Sequence, residues 1–212
     1  MSVPVRRRTY KPADERKAQI LDCALRAFAE GGYHATSIAD VCARAGIGRA
    51  TLYQYFEDKR ALLVALTESI AERIVAAVRN REPLEIPQGF RPSREQAVSF
   101  TRERIVTVLR AAFGDPSTIR LVLRAGRGTD GMVDTILRRI DDVVLEVMEA
   151  DLRAAQEAGV LRPIDARFVA RFLLGGYEKV LLMYVDEDRP IDFDRIAGDA
   201  ALLEMCGLFK QE

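Results

Sequence analysis

Hydrophobic residues recur at helical spacing along nearly the whole chain. From residue 20 onward, apolar positions return every three or four residues in successive stretches, which is the period of a helix with one buried face. Glycine and proline separate these stretches, at Gly31-Gly32, Gly46, Gly114-Asp115-Pro116 and Gly159. The pattern therefore predicts an all-α protein of about nine helices.

Two short helical patterns separated by a tight turn lie within residues 37–56. Apolar residues at steps of three and four form one face of the first pattern, and Gly46 follows its last apolar position. In the second pattern Leu52 and Phe56 are four residues apart and are predicted to face inward. The opposite face of the second helix is then exposed, and this helix-turn-helix spacing is the form in which proteins present a helix to the major groove of DNA.

The residue types on this exposed face suit DNA recognition. Arg49 can donate to guanine acceptors or to a phosphate, and Gln54 can pair with adenine through two hydrogen bonds. The amide groups at the start of the first helix, after Ser37, are placed for a phosphate. The predicted DNA contacts are Ser37, Arg49, Ala50, Thr51, Tyr53, Gln54, Tyr55 and Lys59. A surface helix whose polar residues are only hydrated has the same spacing, so that alternative stays open at this point.

Charge is distributed unevenly along the chain. The whole chain is neutral, with 32 basic and 32 acidic side chains. Residues 1–60 contain 11 Lys or Arg against 7 Asp or Glu, whereas the remainder contains 21 against 25. A basic head on an acidic body favours head-first approach to DNA. The run of Arg6, Arg7, Arg8 and Lys11 is typical of a solvated tail in the free protein, and on DNA such an arm can enter the minor groove.

A family pattern covers this part of the chain. The matching residues are Ile20-Leu21-Asp22-Cys23-Ala24-Leu25-Arg26-Ala27-Phe28, Gly32-Tyr33, Thr36-Ser37, Ala45-Gly46-Ile47, Thr51-Leu52-Tyr53, Tyr55-Phe56, Lys59 and Leu62-Leu63. Through them the stretch from about Asp14 to Ile74 resembles the amino-terminal domain of the TetR family of transcriptional regulators. Two positions depart from the pattern, because Gly48 replaces a capping Ser or Thr and Ala50 stands where Gly is frequent. Glycine is a weaker cap by only a few tenths of a kcal/mol, so the departure questions one phosphate contact and not the fold.

The resemblance implies both the domain organisation and the function. It implies a three-helix DNA-binding domain over residues 14–74, with its motif at 37–56, followed by a helical effector-binding and dimerisation domain over 75–212. It also implies a sequence-specific transcriptional regulator, a repressor of palindromic double-stranded DNA operators that a small-molecule effector releases. A helical protein-protein adaptor without DNA readout is the alternative.

The last two helical patterns, at about 165–186 and 192–210, are apolar on more than one side. In proteins that this chain resembles, the final two helices pair with their copies, which implies a homodimer here; an intramolecular core is the alternative. The predicted apolar positions are Phe168, Phe172, Leu173, Gly176, Val180, Tyr184, Ile196, Ala200, Leu203, Cys206 and Gly207. A dimer can place two recognition helices one DNA turn apart, about 34–36 Å.

Candidate effector contacts are aromatic, soft or charged residues on faces expected to lean inward. They are Phe100, Arg104, Arg124, Met132, Met148, Phe172 and Tyr177. Each of them taken alone is more often a core or hydrated surface residue. If Arg104 and Arg124 face one cavity, an anionic or carboxylated effector is favoured.

The remaining motifs do not predict an enzyme, a cofactor or a metal site. The only histidine, His34, lies in a turn, and no catalytic constellation can be assembled around it. Cys23, Cys42 and Cys206 share no metal-like spacing, and we expect all three to be buried small residues. Residues 126–131 match the letters of a dinucleotide fingerprint but lack the strand before it that the fingerprint requires, so an interhelical loop is expected.

No membrane span or export signal is expected. The longest apolar runs are far shorter than the roughly 18 residues that a spanning helix needs, and residues 1–11 are too polar for a secretory signal. The sequence therefore predicts a cytoplasmic protein.

Overall fold

The structure is a computed structural model that describes residues 12–87, 89–125 and 128–208, without the side chains of residues 124 and 125. The predicted basic arm of Arg6, Arg7, Arg8 and Lys11 lies outside the described residues, as do the side chain of Arg124 and two residues of the glycine-rich stretch 126–131.

The described part of the chain is all-α, which confirms the predicted fold class. Its nine α-helices are α1 (Ala13–Gly31), α2 (Ile38–Ala45), α3 (Arg49–Tyr53), α4 (Lys59–Arg79), α5 (Arg94–Phe113), α6 (Pro116–Ile119), α7 (Gly131–Glu157), α8 (Ala166–Asp186) and α9 (Phe193–Leu208). A π-helical segment, Arg120–Ala125, follows α6 directly. None of the helices in the described ranges is both long and apolar enough to cross a membrane.

The chain divides into two compact units, Met1–Leu66 and Thr67–Glu212, so the division falls within α4. The first unit contains α1 to α3 and the start of α4, and the second contains the remaining helices. The domain boundary predicted from the sequence, between residues 74 and 75, stays a prediction.

The core of the first unit follows from the periodic apolar positions of the sequence. The α1 stripe is buried together with inward residues of the next three helices: Ile20, Cys23, Ala24, Ala27, Phe28, Val41, Cys42, Ala45, Leu52, Phe56, Leu62 and Leu63. Between α1 and α2 the buried Thr36 hydroxyl lies 3.1 Å from the carbonyl oxygen of Ala27 and 2.8 Å from that of Gly32. Burial raises the pKa of the Cys23 and Cys42 thiols. Both cysteines are therefore core residues, as expected.

In the second unit, α5 packs on α9 and α7 packs on α8. One core cluster joins α5 and α6 to α8 and α9, through Leu109, Ile119, Leu181, Tyr184, Val185 and Ile196. Tyr184 and Ile196, two of the apolar positions predicted for the last two helices, belong to this intramolecular core. Cys206 is exposed and not buried, because α9 buries the side of Ala201 and Met205 and the next position is turned about 100° away from Met205.

Candidate nucleic-acid interface and ligand cavity

The exposed face of α3 has the composition that the sequence predicts. Leu52 is fully buried and Phe56 nearly so, which fixes the rotation of this five-residue helix. Arg49, Ala50, Tyr53 and Gln54 are consequently exposed, whereas Thr51 and Tyr55 are half-buried. Gly48 precedes α3 without a side-chain cap, so the N-cap position supplies no hydroxyl.

The turn between α2 and α3 depends on one residue with a positive φ. Gly46 adopts the left-handed conformation, with φ 66° and ψ 34°, and its amide donates to carbonyl groups at the end of α2. Residues with a Cβ rarely adopt this conformation. The turn that sets α3 after α2 therefore depends on the glycine that the sequence pattern places there.

Ser37 begins α2 with a complete capping box. Its hydroxyl accepts from the Asp40 amide at 3.3 Å and donates to the Asp40 carboxylate at 2.7 Å. The Ser37 amide also donates to that carboxylate at 2.7 Å, and these two hydrogen bonds lower the pKa of Asp40. The carboxylate compensates the positive end of the helix dipole and repels a phosphate. In this structure Ser37 acts as the N-cap of α2, and its predicted DNA contact stays a prediction.

The Lys59 ammonium group has hydrogen-bond partners within the chain. Its Nζ donates to the carbonyl oxygens of Tyr33 at 2.9 Å, His34 at 3.3 Å and Thr36 at 3.0 Å. It also lies 4.4 Å from the centroid of the Tyr33 ring. An ammonium has three donors, and all three are used here. In this way the side chain ties the start of α4 to the connection between α1 and α2, and its predicted phosphate contact stays a prediction.

The second unit contains a cavity of about 490 Å³. Its walls come from the end of α4, the connection after it, α5, the π-helical segment and α7 to α9, and most of the lining residues are apolar. A volume of this size is in the range of small-molecule sites in proteins. Of the predicted effector contacts, Phe100, Arg104, Met148 and Tyr177 line this cavity.

Two of the predicted effector contacts, Met132 and Phe172, do not line this cavity. Met132 is 52% exposed in the first turn of α7, where the helix begins at its Asp130 cap. Phe172 is 68% exposed on α8 and stacks on Phe168, with ring centroids 6.3 Å apart. Neither residue lines the cavity, because each lies on the outward side of a helix whose inward side is also apolar. The side chain of Arg124 lies outside the described residues.

A charged cluster that the sequence analysis missed lies in the cavity wall. Asp151 Oδ2 accepts from an Nη atom of Arg81 at 2.6 Å and from one of Arg104 at 2.8 Å. The three side chains are only 16%, 17% and 20% exposed for Arg81, Arg104 and Asp151. Arg104 also donates to the carbonyl of Glu82 and lies 5.5 Å from the centroid of the Phe100 ring. Two cations thus share one carboxylate, which leaves the Arg81–Arg104–Asp151 cluster with one excess positive charge.

Arg81 is the least satisfied member of this cluster. Its Nε is buried and has no hydrogen-bond partner among the described residues. Burial lowers the pKa of its guanidinium, and the charge of Arg104 adds to that lowering, while Asp151 opposes it. Arg81 follows α4 in a connection without helical period, so the apolar pattern of the sequence does not reveal it. Asp151 was detectable, because it falls three residues after Met148 on the same face of α7.

A second polar pair lies in the wall formed by α8 and α9. The Tyr177 hydroxyl donates to the Glu204 carboxylate, and both residues line the cavity. Burial raises the pKa of Glu204, and the hydrogen bond from Tyr177 opposes this rise. Burial and the neighbouring carboxylate also raise the pKa of Tyr177. The pair gives this wall a site that accepts or donates hydrogen bonds.

The outer side of α8 and α9 exposes large apolar residues, which we call the α8–α9 apolar face. It consists of Phe168, Phe172, Val180, Met183, Leu202 and Leu203. Leu203 is 72% exposed, and Gly175 and Gly176 leave the middle of α8 without side-chain bulk. Exposed apolar surface of this extent usually marks a site of association.

Comparison with known proteins relates the chain to one family of regulators. Residues 20–66 match the sequence profile of the family described as bacterial regulatory proteins, tetR family. The HTH-type transcriptional regulator UidR of Escherichia coli is 29% identical over 163 residues, which cover 76% of this chain and 78% of UidR.

Solved structures show the same fold over nearly the whole chain. The fatty acid degradation regulator FadR of Bacillus halodurans superposes with a TM-score of 0.72 at 19% identity, covering 94% of this chain and 98% of that one. FadR of Bacillus subtilis, solved in complex with stearoyl-CoA, gives a TM-score of 0.65 at 19% identity, covering 89% and 96% of the two chains.

Proposed function

The chain belongs to the TetR family of bacterial transcriptional regulators, and from that premise we propose that it represses transcription by binding a palindromic operator through α3. In this proposal a small molecule in the cavity of the second unit releases the protein from DNA. A ligand shifts DNA affinity only by its preference for one of two conformations. Ligand binding in the second unit must therefore favour the conformation that binds DNA less tightly.

The exposed face of α3 is the observation that carries the DNA-binding proposal. Arg49, Tyr53 and Gln54 project from a helix whose rotation is fixed by buried Leu52 and Phe56. We assign base readout to Arg49 and Gln54, because their side chains match guanine and adenine edges. Ala50 allows close approach of the helix to the groove, and the hydroxyls of Thr51, Tyr53 and Tyr55 supply phosphate contacts.

The test of DNA binding is fluorescence anisotropy with duplexes from the region upstream of the chain's own gene. We expect binding that weakens steeply with salt but keeps a sequence preference. Gln54→Ala should lower the discrimination between the preferred duplex and a scrambled one by about 1–3 kcal/mol. Arg26→Ala is the matched control, since Arg26 lies on α1 in an exposed pair with Asp22. If Gln54→Ala leaves sequence preference intact, the assigned face is wrong, and a chain without any DNA affinity is better explained as a helical adaptor.

We assign the α8–α9 apolar face to a second copy of the chain. A two-fold dimer buries the same face on both copies and presents two α3 helices to a palindrome. Phe172→Glu places a carboxylate in that face, and sedimentation velocity should then show monomers at concentrations where the unaltered chain is dimeric. Ala150→Glu is the control, because it adds a carboxylate at an exposed position of α7. Dimers that persist in Phe172→Glu would place the interface elsewhere.

The cavity lining supports an effector with a large apolar part. Most of the lining residues are aliphatic or aromatic, and the charged ones are Arg81, Glu85, Arg104, Asp141, Asp151, Glu178 and Glu204. The structural neighbour solved with stearoyl-CoA binds a ligand with a long apolar chain, which supports the same ligand character here. Anisotropy of the operator complex with candidate ligands tests this proposal, and the expected result is a ligand-dependent loss of bound DNA.

A further inference from the structure

We propose that Arg81 and Arg104 bind the carboxylate of an elongated apolar acid whose chain occupies the cavity. The inference rests on the proposed ligand-controlled function and names the chemical class of the ligand. Both arginines line the cavity, and both pair with Asp151.

The charge of the cluster favours a ligand with one negative charge. Two guanidinium groups and one carboxylate leave an excess of one positive charge on three side chains that are each at most one-fifth exposed. An uncompensated charge at such a position is costly unless a partner neutralises it. A single carboxylate brings the cluster to neutrality, whereas a coenzyme with several phosphates would overcompensate it.

The hydrogen-bonding capacity of the cluster is also incomplete. A guanidinium has five N–H donors in a planar fork that matches the two oxygens of a carboxylate. Arg81 gives Asp151 an Nη donor, and its buried Nε is left without a partner among the described residues. Buried donors in native structures nearly always have partners. A ligand carboxylate at this position would supply the acceptor that the chain does not.

The rest of the cavity suits the chain of such an acid. Phe100 stacks against the Arg104 guanidinium, and from there the lining continues through aliphatic residues of α5 and α7 such as Val108 and Val144. An apolar chain gains affinity as its methylene groups leave water, by about fourfold for each one. The carboxylate then determines orientation, and the chain supplies most of the affinity.

Isothermal titration of the full chain with dodecanoate, dodecanol and dodecanoyl-CoA tests the inference. We expect dodecanoate to bind more tightly than either of the other two. Arg81→Met and Arg104→Met should each weaken dodecanoate binding about 10- to 100-fold, with little change for dodecanol. Arg102→Gln is the matched control, because Arg102 is on α5 two residues from Arg104 and pairs with Asp194 outside the cavity lining.

Asp151→Asn separates a binding role from a structural one. It removes the internal anion that competes for both arginines, so dodecanoate should bind several-fold more tightly, whereas a cluster with only a structural role would give equal or weaker binding. Thermal denaturation of each variant verifies that it is folded. Equal affinities for dodecanoate and dodecanol, or loss of both in Arg81→Met, would overturn the inference. The inference would also be overturned if dodecanoyl-CoA bound more tightly than dodecanoate and Arg81→Met left the affinity for dodecanoyl-CoA unchanged.

The outcomes also separate this inference from the proposed function. If dodecanoate binds as expected but leaves operator affinity unchanged, the carboxylate site stands and the ligand-controlled function fails. If another class of ligand releases the operator while dodecanoate does not bind, the function stands and the carboxylate site fails.

Discussion

Replacing Lys59 by methionine should destabilise the first unit by about 2 kcal/mol. The ammonium donates to three backbone carbonyls, and two of these hydrogen bonds, to Tyr33 and Thr36, are partly buried. Each of the two contributes about 1 kcal/mol after allowance for partial exposure, the exposed bond to His34 adds little, and the contact with the Tyr33 ring adds about 0.5 kcal/mol. Lys59 is also the first residue of α4, where a cation opposes the helix dipole by about 0.5 kcal/mol, and methionine removes that cost.

Urea denaturation followed by circular dichroism measures this change, and hydrogen exchange of residues 33–60 locates it. Lys17→Met is the control, because it removes the same charge from an exposed position of α1. The structural reasoning is refuted if Lys59→Met leaves the free energy of unfolding unchanged. A phosphate contact would instead lower the salt dependence of DNA binding by about one ion without changing stability.

Three further substitutions test other features. Leu52→Ala should destabilise the first unit by about 2–5 kcal/mol in urea denaturation, because Leu52 is fully buried; a small change would show that α3 is not packed as described. Gly46→Ala should cost about 1 kcal/mol from backbone strain alone, since an added Cβ meets no atom within 4 Å; an unchanged denaturation midpoint would contradict the left-handed turn. The raised pKa of Glu204 means that the folded chain holds this proton more tightly than the unfolded chain. The stabilisation is therefore present below the unfolded pKa and is lost as pH rises through the folded pKa. Glu204→Gln should remove this fall in a pH series of unfolding free energies, and a persisting fall would assign it to another group.

The helices of the first unit were predictable because the sequence patterns that specify them each span only a few residues. The apolar steps on α1 and α2, the Ser37–Asp40 capping pair and the glycine after α2 each act within a few residues of sequence. The structure contains a full capping box at Ser37 and a left-handed Gly46. Leu52 is the buried residue of α3, and with the buried Phe56 just after the helix it indicates which side of α3 faces outward.

The cavity was only partly predictable, because its residues come from distant parts of the chain. α7 and α8 have apolar residues on two sides. The spacing of apolar residues in the sequence therefore does not show whether Met132 or Phe172 faces the cavity or the solvent. Arg81 lies in the connection after α4, where apolar residues do not recur at helical spacing. Its ion pair with Asp151 forms only when this connection packs on α7. The hydrogen bonds of Lys59 were not predictable for a similar reason, because its carbonyl partners lie 23 to 26 residues earlier in the chain.

The positions of Tyr177 and Glu204 restrict how the ligand preference of this chain can change during evolution. They line the cavity from α8 and α9, and the same two helices expose Phe172 and Leu203 on their other side. A mutation that reshapes this wall also shifts the surface behind it, so the helices that serve both surfaces are under two selective pressures at once. New ligand preferences should therefore arise first through residues of α5, α7 and the connection after α4, where a substitution changes the cavity without changing the α8–α9 apolar face.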